Sequence, residues 1–200
     1  TSFGKRLHLR LSVEGPEVTV VRNADGTFNF ADLLGEKEEE GEPPDELSLD
    51  IRISDGTVTF VDHAGGDTRR TALRDLTVAV KLPSYDDPLT YEVSGTAGAG
   101  RFRLAGSPIL FHDRKVQPAR LDGALLEATV SDFPIRIAEA PAALKTVGGT
   151  LAVTAEGGTI KATGRLRADT PYDGLRLTAT LDSSLDPAAQ SAAAKATFEA

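Results

Sequence analysis

The sequence predicts an all-β protein dominated by antiparallel sheet. Three observations carry that expectation: apolar and polar residues alternate along most of the chain, Asp-Gly and Gly-Gly pairs recur between the alternating runs, and helical character is confined to short Ala-rich stretches. Successive side chains of a strand point to opposite faces. Each alternating run therefore builds one apolar and one polar face, as in an antiparallel sheet wetted on one side.

Taken in order, Leu7, Leu9, Leu11 and Val13 alternate with His8, Arg10 and Ser12, and a second short run spans Val18 to Val20. Leu47, Leu49, Ile51 and Ile53 alternate with Ser48, Asp50 and Arg52, followed by Val58 to Phe60. Leu76, Val78, Val80 and Leu82 alternate with Thr77, Ala79 and Lys81. Further runs are Tyr91 to Val93, Phe102 to Leu104, Leu151 to Val153, Ile160 to Leu166 and Leu175 to Thr180. Between them, Asp25-Gly26, Asp55-Gly56, Gly65-Gly66, Asp122-Gly123, Gly157-Gly158 and Asp173-Gly174 supply the positive φ that tight hairpin turns need. A meander of hairpins is the simplest topology. Glu139 to Lys145 predicts one short helix, with glycine available to cap it at Val147-Gly148-Gly149. The tail from Asp186 to Lys195 is Ala-rich, and Ala192 to Ala200 reads equally as a last strand.

Asp25-Gly26-Thr27-Phe28-Asn29-Phe30-Ala31-Asp32 returns as Asp55-Gly56-Thr57-Val58-Thr59-Phe60-Val61-Asp62, and Gly-Thr openings recur at Gly149 and Gly158. Such repetition suggests a sheet extended by addition of similar units. Residues 35–45, with concentrated like charge and two prolines, read as an acidic flexible loop, because nothing there offsets the entropy of ordering. Pro83 to Pro88 reads as an ordinary loop.

The chain has 200 residues, 40% of them hydrophobic, which suits a single β-rich domain over residues 1–200. Lys and Arg number 22 against 30 Asp and Glu, giving a net charge of −8 that disfavours nucleic acid as a partner. With no Cys, thiolate chemistry and disulfides are excluded. With no Met and a start at Thr1, the chain is expected to be an excerpt of a longer protein or a processed form. No stretch has the length of a membrane span or the pattern of a signal peptide.

No nucleophile elbow, phosphate loop, His-Glu-x-x-His or dinucleotide fingerprint is present, and no cofactor is expected. His8, His63 and His112 lie in different segments without metal-ligand spacing. The best catalytic-looking group is Asp62-His63 with Asp67, but adjacent strand residues point to opposite faces, so these read as hairpin-turn residues. Gly95-Thr96-Ala97-Gly98-Ala99-Gly100 lacks the following helix that would aim amides at a phosphate and reads as a hairpin connection. The remaining feature is the apolar face itself. Composition does not separate a packed sandwich from an open apolar surface.

Residues Val13 to Leu34, Val13-Glu14-Gly15-Pro16-Glu17-Val18-Thr19-Val20-Val21-Arg22-Asn23-Ala24-Asp25-Gly26-Thr27-Phe28-Asn29-Phe30-Ala31-Asp32-Leu33-Leu34, resemble the AsmA-like family of bacterial envelope proteins. The acidic linker, Leu47 to Ser54, Asp55 to Asp62 and Leu73-Arg74-Asp75-Leu76-Thr77-Val78 fit the same succession, and the C-terminal half resembles it more loosely. The resemblance extends to related TamB-type and bridge-like lipid transfer proteins. It implies a curved, extended β-sheet whose apolar groove shields phospholipid or other acyl-chain lipid between inner and outer membranes; the alternating runs taken alone leave a closed β-sandwich as the alternative fold. It implies no enzyme, no catalytic residues, and a periplasmic setting tethered to the inner membrane by parts of the parent outside this chain. The alternative function is a structural or protein-interaction module for envelope partners in outer-membrane biogenesis. Groove candidates from the alternation are Leu9, Leu11, Val18, Val20, Phe28, Phe30, Leu49, Ile51, Val58, Phe60, Val78, Val80, Val93, Phe102 and Leu104. A bulge at Gly15-Pro16 would flip the first strand's register.

Overall fold

The computed structural model describes residues 5–30, 44–64, 68–116, 121–134, 146–169, 176–186 and 191–199. Its strands are β1 (Arg6–Glu14), β2 (Glu17–Arg22), β3 (Glu46–Asp62), β4 (Arg69–Leu82), β5 (Thr90–Ala97), β6 (Gly100–Ile109), β7 (Phe111–His112), β8 (Lys115–Val116), β9 (Asp122–Pro134), β10 (Thr146–Glu156), β11 (Thr159–Asp169), β12 (Arg176–Asp186) and β13 (Ser191–Glu199). One open 11-stranded sheet runs β1-β3-β4-β5-β6-β9-β10-β11-β12-β13, with β2 beside β1 on β3, and β7 and β8 form a separate two-stranded ribbon. Substantial contact is confined to hydrogen-bonded neighbours. Among the described residues no helix occurs and no second layer covers either face, so the closed sandwich is not what they form. The helix expected over Glu139–Lys145 and most of the acidic loop over 35–45 lie outside the described residues, as do Gly65-Gly66 and Asp173-Gly174.

The accessible surface of 14222 Å² exceeds the about 9,000 Å² expected for a compact monomer of this mass. Buried apolar side chains are correspondingly scarce among the described residues: Val61, Leu76, Leu82, Tyr85, Ala97, Ala155 and Ala168. Tyr85 belongs to the segment expected to be an ordinary loop, yet its ring packs edge-on against Phe111 with centroids 5.1 Å apart. Ser84 Oγ donates to Asp87 Oδ2 at 2.8 Å and closes the same loop.

Two hairpins obey the turn chemistry. Gly157 and Gly158 both take positive φ (56° and 84°) between β10 and β11, and Gly98 takes φ 60° between β5 and β6. Asp55-Gly56 does not make the expected turn. It lies inside β3 as a bulge, with Asp55 rather than the glycine at positive φ (53°) and register shifts between Ile53 and Val58. Asp75 (φ 52°) and Asp132 (φ 49°) sit at comparable irregularities in β4 and β9. Aspartate tolerates the left-handed region because its short side chain bonds locally, and a bulge lets the strand resume with its faces intact. The Asp25 and Asp55 repeats are therefore structurally different units, an edge turn and an internal bulge. Gly149, expected to open a strand, is likewise internal to β10.

The first two strands depart from a meander. β1 and β2 are successive pieces of one edge, both pairing parallel to β3 at a constant offset of 40 residues, from Arg6 opposite Glu46 to Arg22 opposite Asp62. Between them Gly15 takes φ 60° and donates to the Ser54 carbonyl, while the Pro16 carbonyl accepts from Thr57. The break faces the Asp55 bulge, so Val13 and Val18 both remain on the face of their partners Ile53 and Val58. The break at Gly15-Pro16 does not flip the register. At the C terminus Ser191–Glu199 pairs antiparallel with β12, which realises the strand reading of the Ala-rich tail.

Strand β9 has no clear alternation, and the register explains why. Leu125 and Leu126 together oppose Gly106, and this bulge interrupts the period of two. The carbonyl of Leu125 accepts a 2.6 Å hydrogen bond from the Tyr91 hydroxyl, which reaches from β5 across β6. Burial pushes the Tyr91 hydroxyl above its ordinary pKa. Its ring covers Gly106, where a Cβ would lie 2.5 Å from Cε1 and 2.8 Å from the Leu125 carbonyl oxygen.

The outer edge of β2 is closed by one side chain. Asn29 Oδ1 accepts from the Val21 amide at 2.9 Å, its Nδ2 donates to the Thr19 carbonyl at 2.9 Å, and its own amide donates to the Val21 carbonyl at 3.0 Å. Asn29 thus occupies the positions that an incoming strand would use. The Gly26 turn (φ 88°) brings it there.

Two outcomes follow from these contacts. Gly106→Ala should destabilise the protein by about 1–3 kcal/mol and Tyr91→Phe by about 1–2 kcal/mol, read as shifts in urea midpoint without change of slope. Asn29→Ala should expose the β2 edge and produce concentration-dependent association in analytical ultracentrifugation, where the wild type and Asn23→Ala show less.

Candidate functional site: the uncovered apolar face

Cross-strand partners share a face, so register maps each side of the sheet. From one edge to the other, Val13 is followed by Ile53, Val78, Val93, Leu104, Ala128, Leu151, Gly164, Leu181 and Ala196. Every member of this row is apolar or glycine. At a strand spacing of about 4.8 Å the row is about 43 Å long.

Neighbouring rows continue the pattern. Leu11, Ile51, Val80, Tyr91 and Gly106 form one, and Leu9, Leu49 and Leu82 the next. On the other side of the central row, Val18 pairs with Val58, Val20 with Phe60, and Phe102 with Gly95 and Val130. The sheet thus places Leu9, Leu11, Val18, Val20, Leu49, Ile51, Val58, Phe60, Val78, Val80, Val93, Phe102 and Leu104 on one face. Phe28 and Phe30 are different. They stack on each other with centroids 5.3 Å apart in the loop after β2 and belong to no strand of the sheet. Asn29 between them is used to close the edge, which is incompatible with the alternating strand expected there.

Exposure follows position in the sheet. Leu9 and Leu11 are 45% exposed and Val18 48% at one edge, and Leu181 is 38% exposed near the other. Ile53, Val78, Val93, Leu104 and Leu151 in between are half-buried, shielded sideways by their neighbours. Sequence reasoning omitted Leu126, Ala128, Leu151, Val153 and Leu181 from the candidates. Their alternation was visible for Leu151 and Leu181, but the β9 bulge concealed the link that joins the two halves of the face.

The opposite face is polar. One row reads Ser12, Arg52, Ala79, Glu92, Ala105, Glu127, Ala152, Thr163, Asp182 and Lys195. Glu92 and Arg103 make two hydrogen bonds of 2.8 and 3.2 Å. The guanidinium holds the Glu92 carboxyl below its ordinary pKa through these bonds and through charge attraction, and Glu92 raises Arg103 in return. Asp25 is also lowered, by the Thr27 hydroxyl and amide that it accepts from.

The residues that most suggested catalysis are separately engaged. Asp62 accepts from the Ala64 amide at 2.9 Å and lies 3.9 Å from Arg22, while His63 Nδ1 lies 3.1 Å from Thr68 Oγ1. Asp67 lies outside the described residues. His8 is hydrogen-bonded to Ser48 at 2.6 Å on the polar face. Among the described residues no group of three or more His, Cys, Asp or Glu side chains could hold a metal ion, and no helix is long and apolar enough to cross a membrane.

A Glu92→Gln variant should reveal the sign of the pair's pH dependence. Because the folded Glu92 pKa is lowered from 4.5, its stabilisation is present above that value and fades as pH falls through the lower folded value. Acid titrations followed by circular dichroism should therefore show the variant's stability changing less than the wild type's below pH 4.5, with the difference shrinking in high salt. No family model matches the chain, and no curated protein or solved structure matches it.

Proposed function

We propose that this chain is a non-enzymatic lipid-binding or lipid-transport segment whose apolar face shields the acyl chains of phospholipid or another lipid. The single observation that carries the reading is the row from Val13 to Ala196, ten strands wide, without a charged side chain and without a covering layer among the described residues. An acyl chain exposed to water costs about 0.8 kcal/mol per CH₂. A continuous aliphatic surface lowers that cost along its length, and the non-directional contact leaves the cargo free to slide. Along this row ionic side chains are held on the opposite face, and the Arg22–Asp62 pair on the apolar face lies at the ends of β2 and β3, away from the path. The resemblance of Val13 to Leu34 to AsmA-like proteins supports a setting in the bacterial periplasm.

An envelope interaction module is a second reading, favoured by β13, whose outer edge has no partner strand among the described residues. Extraction and mass spectrometry of the purified protein, with uptake of a fluorescent phospholipid from vesicles, separate the two. Lipid transport predicts bound phospholipid in the wild type and at least a severalfold loss in Val93→Asp/Leu104→Asp, with Thr129→Ala unchanged. Absence of both bound lipid and uptake in folded wild-type protein would falsify the lipid reading.

A further inference from the structure

One corner of the apolar face is roofed. In the row Leu9, Leu49 and Leu82, Leu9 is 45% exposed and Leu49 half-buried, whereas Leu82 is 1% exposed. A side chain on an otherwise uncovered face is removed from water only where other residues lie over it. At this corner β3 and β5 begin and β4 and β6 end. Two segments outside the sheet meet here, the Pro83–Pro88 loop and the β7–β8 ribbon, joined by the edge-on packing of the buried Tyr85 ring on Phe111. They supply the roof.

The ribbon is short and separately bonded. It pairs Phe111 with Val116 and His112 with Lys115, shares no ladder with the large sheet, and is separated from β6 by Leu110 alone. A hairpin of this length is not stable by itself, so its position depends on what it touches. The turn residues Asp113 and Arg114 both take positive φ, 53° and 62°. Arginine is uncommon in that region, and here the conformation sends its side chain across the corner, where Nη1 donates to Asp45 Oδ1 at 2.7 Å. Asp45 immediately precedes β3, so the ribbon spans three strand spacings, about 14 Å, from the end of β6. Asp45 itself is anchored: its Oδ2 accepts from the Lys5 amide at 2.9 Å and its own amide donates to the Lys5 carbonyl at 2.7 Å. The tip of the ribbon is therefore tied to a fixed point by an ion pair whose two side chains are half exposed, a weak contact that opens and re-forms readily.

We infer that the β7–β8 ribbon is a strap that gates this corner of the apolar face, with Arg114 on Asp45 as its latch. Unlatched, it uncovers Leu82, Tyr85 and Phe111 as apolar surface leading to Leu49 and Leu9, and an acyl chain enters or leaves over the strand ends. Latched, it holds the corner shut. The gate rests on the lipid reading and adds to it where the cargo passes and what controls the passage. It governs the rate of exchange rather than the amount bound, because the central row from Val13 to Ala196 lies outside the strap.

The absence of cysteine lets the latch be locked at will. In Asp45→Cys/Arg114→Cys, a short bis-methanethiosulfonate reagent joins the two thiols and a reductant frees them, with intact mass and gel filtration confirming one cross-link within one molecule. The initial rate of fluorescent phospholipid uptake from vesicles should fall at least severalfold in the locked protein and recover on reduction. Arg114→Gln, which removes the latch without a cross-link, should take up lipid faster than the wild type to the same final amount, and the same reagent on Glu92→Cys/Arg103→Cys, across a polar-face pair, should leave the rate unchanged. Circular dichroism checks that each variant is folded. Uptake by the wild type together with equal rates in the locked and reduced protein, or with no acceleration in Arg114→Gln, would overturn the gate and leave the lipid reading standing. A wild type that neither holds nor takes up lipid would remove both.

Discussion

The backbone hydrogen-bond ladder bears a demand in this protein that a packed core usually shares. With one layer and no covering element among the described residues, a strand is held by its two neighbours and by lateral contacts between side chains of the same face. Cross-strand pairs are worth about 0.2–1 kcal/mol each, so stability accumulates from many small terms spread across the sheet. Slippage by one residue in any strand would move its aliphatic side chains to the wet face. The bulges at Asp55, Asp75 and Asp132 and the break at Gly15-Pro16 absorb the sheet's irregularities while keeping the Val13 to Ala196 row in phase.

That phase keeps two chemistries apart. Leu104 and Arg103 are adjacent in sequence, yet one belongs to the aliphatic row and the other is held by Glu92 on the opposite side. A packed sandwich would bury the first kind of residue and solvate the second. Among the described residues both surfaces are accessible, so a single thin sheet separates an aliphatic side from a polar one with few side chains buried.

Much of the sheet was legible in the alternation, because a period of two is a local property of each strand. The runs starting at Leu7, Leu47, Leu76 and Leu151 all became strands, and the Gly157-Gly158 turn formed where its residues demand positive φ. Asp55-Gly56 was misleading for a physical reason: the same dipeptide serves a hairpin or a bulge, and the choice depends on what lies opposite. The parallel docking of β1 and β2 on β3 depends on partners far away in the chain. Tyr85 and Asn29 were missed as structural residues because their roles arise only when a loop folds back onto the sheet. On the candidate face, alternation located most side chains but left their continuity hidden until the β9 bulge was placed.

The constant offset of 40 residues between the first edge and β3 also governs the order of assembly. Hairpins such as β5–β6 and β10–β11 close through two-residue turns, so their contacts form with little loss of chain entropy. β1 and β2 must close a far longer loop before gaining any ladder bonds. Loop-closure entropy therefore favours the hairpins forming before β1 and β2 dock, and until they dock the edge of β3 that carries Leu47, Leu49, Ile51 and Ile53 has no partner strand. An undocked β3 edge is a template for strand exchange between molecules, and docking of β1 and β2 removes it.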